Sequence, residues 1–118
     1  MKKLFFIIII LACTGVGATL LQEKTIKDNI KVVLENDQLK VTEYESTPGK
    51  DVCGIGNHSH KAHLTVLITD MKAKATTTDG KTQEVDLPAG TTFWSEAETH
   101  SAINIGNKPV KVLLIEPK

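Results

Sequence analysis

The sequence predicts an all-β fold, a sandwich or barrel, behind a short export signal. Three observations carry this prediction. From residue 31 onward the chain breaks into about eight short stretches in which apolar and polar residues alternate, the period of a half-buried strand. Turn-forming residues separate these stretches at spacings of roughly 8–12 residues, typical of sandwiches and barrels. No stretch carries a convincing helical period, and the 118 residues suit a single domain of the usual size, about 100–150 residues.

Composition narrows the class further. Apolar residues make up 41% and charged residues 24% of the chain, an ordinary globular balance that excludes disorder, collagen and coiled coil as global descriptions. The 14 basic and 14 acidic residues cancel, and every basic residue is Lys. A neutral chain without Arg lacks the clustered basic face that nucleic acids require. It also lacks the planar fork that reads carboxylates and phosphates bidentately. No nucleic-acid partner is expected.

The elements follow in order. Lys2 and Lys3 precede an unbroken apolar run over 4–12, and small residues follow, ending in Val16-Gly17-Ala18. This is the three-part pattern of a secretory signal peptide, residues 1–18, with cleavage after Ala18. The run is shorter than the roughly 20 residues that span a bilayer. A second reading stays open: Ile10-Leu11-Ala12-Cys13 resembles the bacterial lipobox, which would make Cys13 an acylated membrane anchor. Under either reading the protein is exported, to the periplasm or the medium, and only acylation of Cys13 would tie it to a membrane. Residues 19–30 are polar and mixed and read as an N-terminal arm. Residues 31–118 form the domain. Loss of Lys2 and Lys3 leaves 12 basic against 14 acidic residues, a net charge of −2. The aromatics then remaining are Tyr44, Phe93 and Trp94, so the core must be built from Val, Leu and Ile.

Strands are predicted over 31–34, 39–45, 63–70, 72–77, 82–87, 91–94, 101–105 and 110–116. Asn36-Asp37, Thr47-Pro48-Gly49-Lys50, Pro88-Ala89-Gly90 and Gly106-Asn107-Lys108-Pro109 supply turns between them. Asp79-Gly80 is a hairpin signal, because its turn type needs positive φ at both central residues. The chain holds two Cys. If Cys13 leaves with the signal, Cys53 has no intramolecular partner and no disulfide framework exists. Cys53 is then a free thiol, a neighbour of a metal, an intermolecular link, or a small buried apolar residue.

The histidines are the strongest functional signal. Three of the four fall in Asn57-His58-Ser59-His60-Lys61-Ala62-His63, and the fourth is His100. Residues i and i+2 of a strand point to one face, so His58 and His60 can meet one cation, with a third ligand arriving from another strand. Imidazole suits zinc, copper, iron and nickel.

These residues resemble the motifs of the small single-domain cupins. The first cupin motif has Gly, His-x-His, a Glu three or four residues on, then Gly. Here Gly54 or Gly56 precedes His58-Ser59-His60. The second motif ends in His-x-x-x-Asn, matched in spacing by His100-Ser101-Ala102-Ile103-Asn104. The Asp79-Gly80 hairpin, the Pro88-Ala89-Gly90 turn and the last turn and strand fit as well, so the resemblance covers about residues 31–118. It implies a jelly-roll β-barrel with one divalent metal, iron, manganese or zinc, in its mouth on His58, His60 and His100. Two departures stand out. The motif Glu falls at Leu64 or Thr65, and the Pro-x-Gly before the second motif reads Glu96-Ala97-Glu98. The vacated Glu leaves either a three-His centre, similar to the iron site of the thiol dioxygenases, or a four-His centre completed by His63. The even positions 58 and 60 oppose the odd 63 unless Lys61-Ala62 resets the strand.

Candidate substrate-lining residues are Trp94, Glu96, Glu98 and Cys53. Each also has a plain structural reading, as rim packing for Trp94 and a solvated loop for the carboxylates. Two functions remain open: a metal-dependent small-molecule oxidase or dioxygenase, or a non-catalytic module that holds a metal or small ligand. The resemblance also implies pairing through edge strands as a homodimer.

Overall fold

The computed structural model describes residues 24–27 and 29–118. The expected signal over 1–18, its cleavage point and Cys13 lie outside the described residues, as do residues 19–23 and 28 of the arm.

Ten strands are described: β1 (Lys24–Lys27), β2 (Ile30–Glu35), β3 (Leu39–Ser46), β4 (His58–His60), β5 (His63–Leu67), β6 (Met71–Thr77), β7 (Thr82–Leu87), β8 (Thr92–Ser95), β9 (Glu98–Asn104) and β10 (Val110–Pro117). They form two antiparallel sheets, one ordered β1-β2-β3-β10-β5-β8 and the other β4-β9-β6-β7. No helix occurs among the described residues. This is the all-β barrel the strand pattern predicts, in the jelly-roll form that the resemblance implies.

Alternation decides which side chains meet inside. On β10, Val110, Val112 and Leu114 are buried while their neighbours are half-exposed. On β6, Met71 and Ala73 are buried between exposed Lys72 and Lys74. These residues pack with Val52, Cys53, Leu67 and Ala102 into one core, with Tyr44, Val85 and Leu87 against its edge. The smaller sheet lines its inner face with Ala73, Ala75 and Ala102, and short side chains there leave room. A cavity of about 220 Å³ results, walled also by Val85, Val112 and Leu114.

Three elements differ from the sequence reading. A strand at 58–60 carries the His-x-His pair, and β1 places a strand in the predicted arm, paired to β2. β9 also begins at Glu98 rather than residue 101, because Glu98, Thr99 and His100 pair across to His60, Ser59 and His58. These residues are polar on both faces, so alternation of hydrophobicity could not reveal the strand. The hairpin at Asp79-Gly80 forms between β6 and β7, with Gly80 at φ +85°.

Candidate metal centre

The register between β4 and β9 builds the site. His58 lies opposite His100 and His60 lies opposite Glu98, so all four side chains share the inner face. Ser59 and Thr99 take the outer face, where their hydroxyls bond at 2.7 Å. The rings of His58 and His60 stand 4.6 Å apart, and those of His58 and His100 4.9 Å apart.

Cys53 arrives from a different direction. The chain ahead of it runs beside β9, with Asp51 bridged to Ile103 and the Val52 amide donating to the Ala102 carbonyl at 2.9 Å. It then leaves β9 and rejoins it at His58. Gly54 makes this detour possible. Its φ is +153°, and a Cβ there would stand 2.6 Å from His58 Cγ. The His58 ring lies over the space a side chain would fill.

The excursion brings Cys53 Sγ within 3.4 Å of both His58 Nε2 and His100 Nε2. One donor atom from each of Cys53, His58, His60 and His100 lies within 4.8 Å of the others, a set able to hold one metal ion.

Hydrogen bonds aim the imidazoles. His58 Nδ1 donates to the Gly56 carbonyl at 2.8 Å, which leaves Nε2 as a bare lone pair. His100 Nδ1 faces Glu98 Oε1 at 3.4 Å, and this contact turns its Nε2 inward. His60 is only 8% exposed, and its Nε2 is buried with no hydrogen-bond partner. A buried acceptor without a donor costs about 1–3 kcal/mol, and a cation in the centre of the cluster would remove that penalty. The residues therefore fit a metal.

Burial sets the protonation of the metal-free cluster. It pushes His60 down to about 4, helped by the neighbouring imidazoles and opposed by a hydrogen bond to the Cys53 backbone. Burial also lowers His100, against the pull of Glu98. It raises the Cys53 thiol to about 12, with Glu98 and Asp51 adding to the effect. Neutral imidazoles are the form that ligation needs.

His63 stands beside the four-donor set rather than in it, its ring 5.0 Å from that of His60. The chain leaves the smaller sheet after His60 and enters the larger at His63, so the parity between them has no meaning and the ring approaches from the opposite wall. His63 is 3% exposed, its Nδ1 donates to the Lys61 carbonyl at 2.7 Å, and its Nε2 lies 3.9 Å from Glu98 Oε2. Glu98, His63 and Cys53 line the cavity together with His100, Phe93 and Ser95. Trp94 and Glu96 do not. Alternation on β8 turns Phe93 and Ser95 inward and Trp94 outward, 51% exposed, where its indole N–H donates to Glu96 at 2.7 Å. At the two positions where the cupin Glu is expected, Leu64 pairs outside with Trp94 and Thr65 is buried at the cavity wall.

Sequence reasoning placed Cys53 near the cavity and ranked metal ligation behind its other readings, whereas the structure brings its sulfur into the donor cluster. The available signal was the pair of glycines between Cys53 and His58, which lets so short a segment fold back on itself.

The chain is similar to a cupin domain from Bordetella pertussis Tohama I, with 27% identity over 74% of this chain and 88% of that one, and a TM-score of 0.66. The described barrel has the cupin fold. It shares its fold with the polyketide cyclase RemF from Streptomyces resistomycificus, at 17% identity over 90% of this chain and 80% of that one, TM-score 0.58. The cupin barrel also matches part of an oxalate decarboxylase from Lactobacillus farciminis solved as a formate complex, at 21% identity over 85% of this chain and 32% of that one, TM-score 0.58. Neither a family model nor a curated protein matches the chain. Cupins with such different activities share one barrel, so the activity of this one must be argued from its site.

Proposed function

We propose that this cupin is an exported, metal-dependent enzyme that oxidises a small molecule held in the barrel cavity. The observation that carries the reading is His60 Nε2, a buried lone pair with no donor, on a ring that shares one donor cluster with His58 and His100. A divalent iron, manganese or zinc ion held there would supply Lewis-acid or redox chemistry, and three His ligands leave coordination positions open. The remaining roles belong to the chain. Gly56 and Glu98 hold the His58 and His100 rings in the ligating orientation. The apolar wall of Val85, Val112 and Leu114 keeps water from the substrate side. Glu98 and His63 face each other across the cavity end and can hold a proton there. The cavity, about 220 Å³, is smaller than the roughly 300–1,000 Å³ of drug-sized sites, so the substrate has few heavy atoms.

A non-catalytic metal- or ligand-holding module is the second reading. The nearness of Cys53 to two of the ligand nitrogens favours it, because a fourth protein donor closes the site.

Elemental analysis of the purified protein, beside His58→Ala and His100→Ala, tests the metal. One ion per chain in the wild type, lost in both variants, is expected; equal content in all three would sink the assignment. Oxygen consumption with a panel of small thiols and diketones then separates turnover from binding. Export belongs to the same reading. Protein recovered from its native envelope should begin at Thr19, or at an acylated Cys13, and an intact Met1 would refute both. Light scattering tests the proposed homodimer.

A further inference from the structure

We propose that Cys53 is the fourth ligand of this centre, making it a three-imidazole, one-thiolate site that takes a thiophilic divalent ion, zinc(II) or cobalt(II), in preference to manganese(II). The inference rests on the metal-binding reading above, specifies its donor set, and goes with the second, non-catalytic form of that reading, since a fourth protein donor closes the site.

The geometry separates a ligand from a bystander. Metal–sulfur and metal–nitrogen bonds of about 2.3 and 2.05 Å, set at the tetrahedral angle, hold S and N about 3.6 Å apart. Cys53 Sγ stands 3.4 Å from His58 Nε2 and 3.4 Å from His100 Nε2. The octahedral right angle would bring the same atoms to about 3.1 Å. The two equal distances thus lie nearer the tetrahedral arrangement.

A hydrogen-bonding account fails on proton count. A thiol carries one proton and can satisfy one nitrogen. His58 and His100 both direct their Nδ1 at oxygen acceptors and turn bare lone pairs on the same sulfur. One of them stays unpaired whichever way the S–H points. His60 Nε2, nine-tenths buried and without a partner, adds a further lone pair at the same centre. Four donors converge on one proton, and a divalent cation is what balances them.

The placement explains the missing carboxylate. Leu64 pairs outside with Trp94, and Thr65 offers no carboxylate. Cys53 enters the cluster from the other end of the first motif, and Gly54 keeps the His58 ring close to it. A thiolate in place of a carboxylate shifts the set from oxygen-preferring manganese toward zinc and cobalt.

The test is a cobalt(II) titration of the full-length protein stripped of metal by chelation. One cobalt per chain is expected, with a sulfur-to-cobalt charge-transfer band in the near ultraviolet and the intense visible bands of a tetrahedral ion. Cys53→Ser should still bind one cobalt, at least tenfold more weakly, without the charge-transfer band. Its preference for zinc over manganese should fall at least tenfold. Cobalt binding to the wild type without that band would overturn the thiolate and leave the three-His site standing. Failure of the wild type to bind either cobalt or zinc would overturn both. The wild-type spectrum decides the matter alone if Cys53→Ser does not fold.

Discussion

Strand β9 carries a buried polar residue at one end and a half-buried one toward the other, and the two are built in opposite ways. Asn104 is fully buried, and each of its side-chain atoms is paired. Its amide donates to the Ser46 and Lys108 carbonyls at 3.2 and 2.9 Å, and its Oδ1 accepts from the Gly106 amide at 2.9 Å. Toward the other end, His100 joins a cluster with more acceptors than protons. A closed polar network holds a fold together, whereas an open one holds out for something else. The spacing His-x-x-x-Asn therefore joins a site residue to a structural one, and the two should respond differently to removal.

The largest expected effect is on metal binding. His60→Ala should abolish stoichiometric zinc binding, a loss beyond the 10–100-fold that follows removal of a group supporting a ligand. Titration calorimetry reads it. The metal-free variant should lose less stability than Asn104→Ala, since the substitution removes a ring and its hydrogen bond to the Cys53 backbone but also deletes an orphaned acceptor. Asn104→Ala should do the reverse. Leaving the Ser46 and Lys108 carbonyls and the Gly106 amide without partners costs about 3 kcal/mol of stability. Urea unfolding measures it, and the folded fraction should still bind one zinc. If metal-free His60→Ala lost as much stability as Asn104→Ala, the contrast between the two ends of β9 would collapse.

The same strand shows what could be read from the sequence. The barrel was legible because Val110, Val112 and Leu114, or Met71 and Ala73, alternate with polar neighbours, and burial imposes that period on any strand with one wet face. The imidazole pair was legible because the strand period and His-x-His coincide. The start of β9 was not, since Glu98, Thr99 and His100 follow no hydrophobic pattern; they are placed by pairing with β4, a long-range event. Cys53 joins the cluster through a detour that depends on a positive φ at Gly54, which periodicity does not encode. The place of His63 was open for the same reason: the break at Lys61-Ala62 resets the strand and moves it to the other sheet, where its ring still comes within 5.0 Å of His60.

Gly54→Ala sharpens this point. The new Cβ would meet the His58 ring at 2.6 Å in a backbone conformation that side chains rarely adopt. A cost of about 1–3 kcal/mol is expected, shared between the fold and the ligand position. Thermal unfolding with and without zinc separates the shares, and a larger loss with zinc is the expected result. Glu98→Ala should act more weakly. It removes a group that orients His100 across 3.4 Å, so zinc affinity should fall about tenfold, the low end for a supporting carboxylate, with His58 and His60 still ligating.

The smallest effect is absent at neutral pH and appears in alkali. Tyr44 is the only tyrosine in the chain, so absorbance of tyrosinate reports it alone. Its ring meets His60 edge-on at 6.4 Å, from the β3 side of the barrel. Burial raises its hydroxyl to about 12, with Cys53 and Glu116 adding to the rise. The folded state thus holds this proton more tightly than the unfolded chain, whose tyrosine titrates near 10. The stability it lends is fully present below pH 10 and is lost as pH rises through about 12. The folded protein should show a tyrosinate midpoint near the higher value, and the urea-unfolded chain one near the lower. A folded midpoint near 10 would mean that water already reaches the ring. The neighbouring His60 nitrogen would then have solvent for a partner, and the reason to place a cation beside it would weaken.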